Sequence, residues 1–270
     1  MPNLRGPDER RKRLFANTVM SIVLYVAPVW EDTLTRSKRQ PALHRLQRTI
    51  AQRVISAYRT VSSNAALLLA RLPPVKLVAG MRKKIYDQIK MRREDGSFLP
   101  ETRKEIKEPE LQKMYDEWRE QLERPNSPGG LTLMAIVPRL EVWMARKSGS
   151  MSFHLTQIMT GHGCFPKILC RIGKKTNTTC DFYGCDMDDP NHTLRVCTAW
   201  EPQRILLARK LDLPQGFTLG DIVEAVATSL DCWRAFSAFA EEVIREKEEE
   251  ERRRERMRLS PPYTEDDGVD

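Results

Sequence analysis

The chain is 270 residues long, 40% apolar, 30% charged and 7% aromatic, with a formal charge of +8. This length admits one large domain or two small ones, and the composition is that of a soluble, mainly α protein with a modest core. A disulfide-stapled secreted protein is disfavoured, because six cysteines occur without a leader pattern at the start. A membrane span is disfavoured too, since the longest early apolar run, residues 19–30, is about half the ~20 residues required and contains Pro28. A reducing compartment is expected.

The charge is uneven. Residues 1–60 hold twelve Lys and Arg against Asp8, Glu9, Glu31 and Asp32, a balance of +8, so the rest of the chain is neutral overall. Such placement points to a polyanionic partner. Residues 1–13, with Pro2, Gly6, Pro7 and the cluster Arg10, Arg11, Lys12 and Arg13, read as a solvated basic arm leading into a helix. From Leu14 the pattern turns apolar, and residues 24–30 (LYVAPVW) read as the end of a buried helix, with Pro28 near its close and Trp30 as a core anchor.

Pro41 suits a first helical turn, after which Leu43, Leu46, Ile50, Val54 and Ile55 form an apolar face. Arg45, Arg48, Arg53 and Arg59 occupy the other side, either a phosphate track or an ordinary solvated face. Ser62 or Ser63 caps a helix over 64–71, which Pro73 and Pro74 end. A further helix over 75–93 mixes Leu77, Met81, Ile85 and Ile89 with Arg82, Lys83, Lys84 and Lys90, and residues 95–100 (DGSFLP) break it. In 101–123 the stripe Leu111, Met114, Tyr115, Trp118 and Leu122 is expected to lie on a partner surface.

Residues 124–130 (RPNSPGG) are the clearest linker signal, so a boundary is expected there between a helical region 14–123 and a C-terminal helical unit 131–245. Residues 131–144, interrupted by Pro138, read as a strand-like connection or a short helix. Ser150 or Ser152 caps a helix to Thr160, a short apolar helix covers 165–172, and another runs from Trp200 to Leu211 with Pro202 in its first turn. The spacing from Leu219 to Val243 predicts one long helix, which residues 246–258 continue as a solvated Glu and Arg extension. The last residues, 263–270, are expected to be disordered.

Five of the six cysteines fall between Cys164 and Cys197, and the array Cys180, Cys185, His192, Cys197 has the spacing C-x4-C-x6-H-x4-C. Three thiolates and an imidazole are a tetrahedral zinc set, and a site with four protein ligands is structural, leaving no position for water or substrate. Asp188, Asp189, Pro190 and Asn191 are turn-formers that fold His192 back toward the first two cysteines. Buried, unliganded cysteines are the competing reading, and His162, Cys164 or Cys170 could replace one of the four ligands.

Four phrases in order, residues 24–30 (LYVAPVW), 53–62 (RVISAYRTVS), 155–165 (LTQIMTGHGCF) and the array from Cys180 through Cys197 to Trp200, carry a resemblance. Together they resemble the C-terminal part of the polyproteins of non-LTR (LINE-type) retrotransposons, most closely the clade that inserts into ribosomal RNA genes. The similarity spans nearly all of residues 14–255. It implies a region that follows the polymerase palm, contributes a helical thumb-like unit and a connection, and ends in a small helical unit built around a CCHC zinc element.

The resemblance makes Cys180, Cys185, His192 and Cys197 the zinc ligands, and it makes the arginines from Arg45 to Arg59 contacts to a template–primer backbone. It implies binding of element RNA and target DNA during target-primed reverse transcription, association with the rest of the polyprotein, and a nuclear site of action with a cytoplasmic ribonucleoprotein stage. Two features depart from the pattern. The first cysteine pair is wider here than is usual in the family, and Val26 stands where it usually has glycine. No Tyr-x-Asp-Asp motif and no endonuclease-like Asp, Glu and His run occur, so the chain alone is expected neither to polymerise nor to cleave. The alternative is a zinc-stabilised helical scaffold used for protein interaction.

Overall fold

The Asp8 carboxylate accepts the Arg11 backbone N–H at 3.0 Å and caps α1 (Glu9–Leu24), so the cluster Arg10 to Arg13 lies within the helix to which the solvated arm was expected to lead. The computed structural model describes residues 6–36 and 40–259; residues 1–5 of the expected arm and the expected disordered tail lie outside the described residues. Pro28 sits in the first turn of α2 (Ala27–Arg36), not at the close of the preceding helix. Proline has no N–H to donate, which costs nothing in a first turn, so the chain breaks just before it.

α1 is also not a buried helix. Ala16, Met20 and Leu24 face inward, whereas Phe15, Ile22, Tyr25 and Val29 along α1 and α2 are 68–83% exposed. Trp30 is half-buried beside a small cluster of Met20, Leu24, Ala27, Val75 and Ala79, separate from the main core.

The main core forms around α4 (Ser63–Ala70), which follows α3 (Gln40–Val54). Ser62 caps α4 by accepting the Ala65 N–H at 3.2 Å, and Ala65 to Ala70 are all buried, as an all-apolar helix requires. α5 (Val75–Glu94) and α6 (Thr102–Leu122) form a hairpin. Met114, Trp118 and Leu122 are at most 4% exposed and belong to the main core, so the stripe expected on a partner surface is covered by the chain itself.

Residues 124–129 make a short turn in which the Ser62 hydroxyl donates to the Pro128 carbonyl at 3.0 Å. Gly129 has φ +103°, and a Cβ there would approach Ser62 Oγ to 2.5 Å, so glycine is required on both counts. The buried apolar cluster runs across this turn, from Ala16 through Trp118 and Trp143 to Ile244. Pro138 is absorbed into a single 3-10 turn, Val137–Arg139, between α7 (Gly130–Ile136) and α8 (Leu140–Ala145), which settles that stretch as helical.

Ser152 caps α9 (Phe153–Thr160) and Gly161 closes it at φ +70°. Then follow α10 (Pro166–Arg171), α11 (Pro190–Arg195), α12 (Glu201–Leu211), α13 (Leu219–Thr228) and α14 (Leu230–Leu259). The helix expected to start at Leu219 is therefore two helices. Ser229 is extended (φ −120°, ψ 127°) and its hydroxyl accepts the Cys232 N–H at 3.3 Å, so it ends one helix and caps the next. No strand occurs among the described residues, in agreement with a mainly α fold.

Candidate metal centre

The loop that precedes α11 is closed by its own backbone. The Gly184 N–H donates to the Cys180 carbonyl at 2.9 Å and the Cys180 N–H to the Cys185 carbonyl at 2.8 Å, while the Asp188 N–H reaches the Thr178 carbonyl at 2.8 Å. Asp189 caps α11 by accepting the His192 N–H at 3.0 Å, and Pro190 occupies the first turn. The His192 carbonyl then takes the N–H groups of both Val196 and Cys197 at 2.9 Å, fixing Cys197 one turn beyond the histidine.

These constraints gather three ligand atoms. The Cys180 and Cys197 sulfurs and a His192 ring nitrogen lie within 4.8 Å of one another, and all three residues are buried. The two sulfurs are 3.8 Å apart, too far for a disulfide. Two thiolates each ~2.3 Å from one tetrahedral zinc would stand about 3.8 Å apart. The His192 Nε2 is buried without a hydrogen-bond partner, an orphaned atom of the kind a bound metal would satisfy. The residues present could thus hold a metal ion. Burial lowers the His192 pKa, favouring the neutral imidazole, and burial together with the adjacent Cys180 pushes the Cys197 thiol up to about 11. A metal would displace those protons.

Cys185 is half-buried and its sulfur is not within the group, although its carbonyl holds the Cys180 N–H. His162, Cys164 and Cys170 are not within it either. Cys164 is buried, and that burial raises its thiol far above the ordinary range.

The loop is clamped by α14. Lys247 Nζ donates to Asp188 Oδ2 at 2.6 Å with both side chains at most 2% exposed, and it lies 5.4 Å and 5.6 Å from the ring centroids of Phe165 and Phe182. Phe182 packs on the buried Trp200 at 4.9 Å. Lys175 and Arg254 both pair with Asp181, the residue after the first ligand, and Arg254 also donates to the Asp181 carbonyl at 3.0 Å. The stretch 246–258 is therefore not a merely solvated extension. Its signal in the sequence is the continuation of the apolar spacing of Ala240 and Ile244 into Lys247, Glu251 and Arg254, hidden because the inward residues are charged.

The basic residues divide into two groups. Arg10, Arg11, Arg45, Arg53 and Arg59 are exposed. Lys12, Arg13 and Arg48 are half-buried: Lys12 donates to the Ser56 hydroxyl at 2.7 Å, Arg13 pairs with Glu9 and donates to the Ala70 carbonyl at 2.7 Å, and Arg48 donates to the Arg59 and Val61 carbonyls at 2.9 and 3.0 Å. The Lys12–Ser56 bond brings the start of α1 to the residues after α3. No helix among the described residues is long and apolar enough to cross a membrane.

No protein-family model matches the chain, and no solved structure matches it. Over 247 residues it is 26% identical to a 115 kDa protein in type-1 retrotransposable element R1DM of Drosophila melanogaster, an alignment covering 86% of this chain. The chain spans 23% of the length of that curated relative. The similarity supports a protein related to those of non-LTR retrotransposons.

Proposed function

We propose that the chain is the zinc-stabilised, nucleic-acid-binding C-terminal portion of a non-LTR retrotransposon reverse transcriptase. It would supply a thumb, a connection and a terminal CCHC element to target-primed reverse transcription, without the catalytic palm or the endonuclease. The observation that carries the reading is the buried group Cys180, His192 and Cys197, set in a chain similar over most of its length to a retrotransposable-element protein. Cys185 serves as the fourth ligand, from a position next to Cys180 that the backbone pairing already gives it. Zinc then closes the loop against α14 as a folding staple with no open position for catalysis.

The phosphate grip belongs to the exposed Arg10, Arg11, Arg45, Arg53 and Arg59, with Lys12, Arg13 and Arg48 holding the surface that presents them. Element RNA and target DNA are the partners, together with the remainder of the polyprotein, and the site of action is the nucleus after a cytoplasmic ribonucleoprotein stage. A salt titration tests this. Affinity for duplex DNA falls linearly in log–log with a slope of about −0.9 for each phosphate contacted, and Arg53→Ala or Arg59→Ala each reduces that slope by about one.

The exposed apolar side of α1 and α2 favours a second reading, a helical scaffold that docks another protein. A chain with no affinity for RNA or DNA at about 100 mM salt would support the scaffold and exclude the first reading.

A further inference from the structure

The end of the α5–α6 hairpin carries a cleft that the basic track of α1 and α3 does not use. Its volume is about 400 Å³, and it is lined by Tyr86, Lys90, Arg93 and Glu94 of α5, by Phe98 of the connecting turn and by Arg103 of α6. The turn is built rather than loose: the Asp95 carboxylate accepts the Ser97 N–H at 2.9 Å, and the Thr102 hydroxyl accepts the Leu99 N–H at 3.1 Å. Phe98 is therefore held in place, and the Arg93 guanidinium lies 4.9 Å from its ring centroid.

Two properties of the lining specify a ligand. Tyr86 is 54% exposed, leaving an aromatic face open to the cleft region while Phe98 is half-buried. Three cations stand against one carboxylate, and the only ion pair among these lining residues is a loose Lys90–Glu94 contact of 3.8 Å with both partners at least 60% exposed. Two aromatic rings, one of them held by its turn, beside Arg93 and Arg103, which have no carboxylate partner among the lining residues, match the two needs of an unpaired nucleotide, a surface on which to stack the base and positive charge for its phosphate. A base paired inside a duplex has both faces covered and cannot use such a ring.

We infer that the α5–α6 hairpin tip binds single-stranded nucleic acid, with the base stacked on Tyr86 and Phe98 and the phosphate held by Arg93 and Arg103. The inference rests on the nucleic-acid reading above and adds a strand-selective site to it. RNA and DNA single strands share this chemistry.

The test is fluorescence anisotropy of the full chain with a labelled uridine 12-mer, a thymidine 12-mer and a 12-base-pair duplex. Tyr86→Ala, an exposed substitution, weakens binding of one or both single strands by about five-fold or more and leaves the duplex unchanged, while Tyr86→Phe retains binding. Arg93→Ala and Arg103→Ala each lower the single-strand salt slope by about 0.7. Which 12-mer responds identifies RNA or DNA. If Tyr86→Ala and Arg103→Ala bind both single strands as the unaltered chain does, the inference fails even where Arg53→Ala and Arg59→Ala still weaken the duplex, and the broader reading survives. If a polyglutamate peptide binds in a Tyr86-dependent way and neither oligonucleotide does, the site is one for acidic protein segments and the inference is overturned. An unaltered chain that binds none of the three oligonucleotides overturns both.

Discussion

Lys247 and Arg146 are both buried cations, and they differ in what each would leave behind. Lys247 sits against Asp188, so Lys247→Met strands an uncompensated carboxylate in the interior. Removing one partner of such a pair costs about 3–5 kcal/mol. Arg146 lies against both Trp143 and Trp233, at 4.5 and 3.7 Å from their centroids, and its three guanidinium nitrogens have no acceptor. Burial, with Arg71 and Arg13 nearby and Glu9 opposing, lowers its pKa to about 9. Arg146→Met removes an unpaired charge and gives up cation–π contacts of comparable size, so its stability stays within about 1 kcal/mol of the unaltered chain. Urea melts of the two variants measure the contrast; equal losses would show that the Lys247–Asp188 pair has no special weight.

Most of this residue-level design was not legible in the sequence. The array at 180–197 was, because ligand type and spacing are local properties. Three of its four residues converge, and Cys185 stands beside them. Lys247 and Arg146 were not, because a charged side chain reads as exposed until tertiary contacts supply its partner. For the same reason Lys12, Arg13 and Arg48 were indistinguishable from the exposed arginines around them.

Among the helices, the packing of α9 on α14 contains a titratable seam. His154 Nδ1 lies 2.6 Å from Glu241 and Nε2 lies 3.6 Å from Glu248, with Gln157 donating to Glu248 at 2.6 Å and Arg252 pairing with it at 2.9 Å. Bonds to Glu241 and then Glu248 raise the His154 pKa from 6.5 to about 9. A raised folded-state pKa means the contribution is fully present below the unfolded value and is lost as pH rises toward 9. Glu241, held low chiefly by His154, and Glu248, held low against its burial by His154 and Gln157, lose their contribution only as pH falls through the carboxylate range. Stability is therefore expected to decline between pH 6.5 and about 9, by on the order of 1 kcal/mol once the partial exposure of Glu241 is allowed for. His154→Gln should flatten that decline in thermal melts, and an unchanged slope would rule out the seam as its cause.

Helices with explicit caps were readable to within a choice of two serines: Ser62 rather than Ser63 caps α4, and Ser152 rather than Ser150 caps α9, which ends at Thr160. Two breaks were misplaced. Pro28 opens α2 rather than ending α1, since proline marks a start as readily as a stop, and Ser229 divides what its apolar spacing made look continuous. The Met114, Trp118 and Leu122 stripe was read correctly as apolar, but the sequence does not say which surface covers it, and here the core of the same chain does.

For the molecule as a whole, charge and metal are separated along the chain. The basic excess lies in residues 1–60, whereas the candidate metal group lies at 180–197 and is fastened to α14. Periodicity revealed the helical class. The core that continues across 124–130 was hidden, because a Pro- and Gly-rich turn has the same composition whether it links separate units or joins two parts of one.

The claim that the Cys180, His192 and Cys197 group is a structural zinc site is tested most directly by the metal content of the purified chain. One zinc per chain is expected, lost in Cys180→Ser and Cys197→Ser, with binding on the order of 10 kcal/mol at neutral pH and loss of helical signal on chelation. A purified chain that takes up no zinc when it is supplied, and whose far-ultraviolet circular dichroism is untouched by a strong chelator, would contradict it.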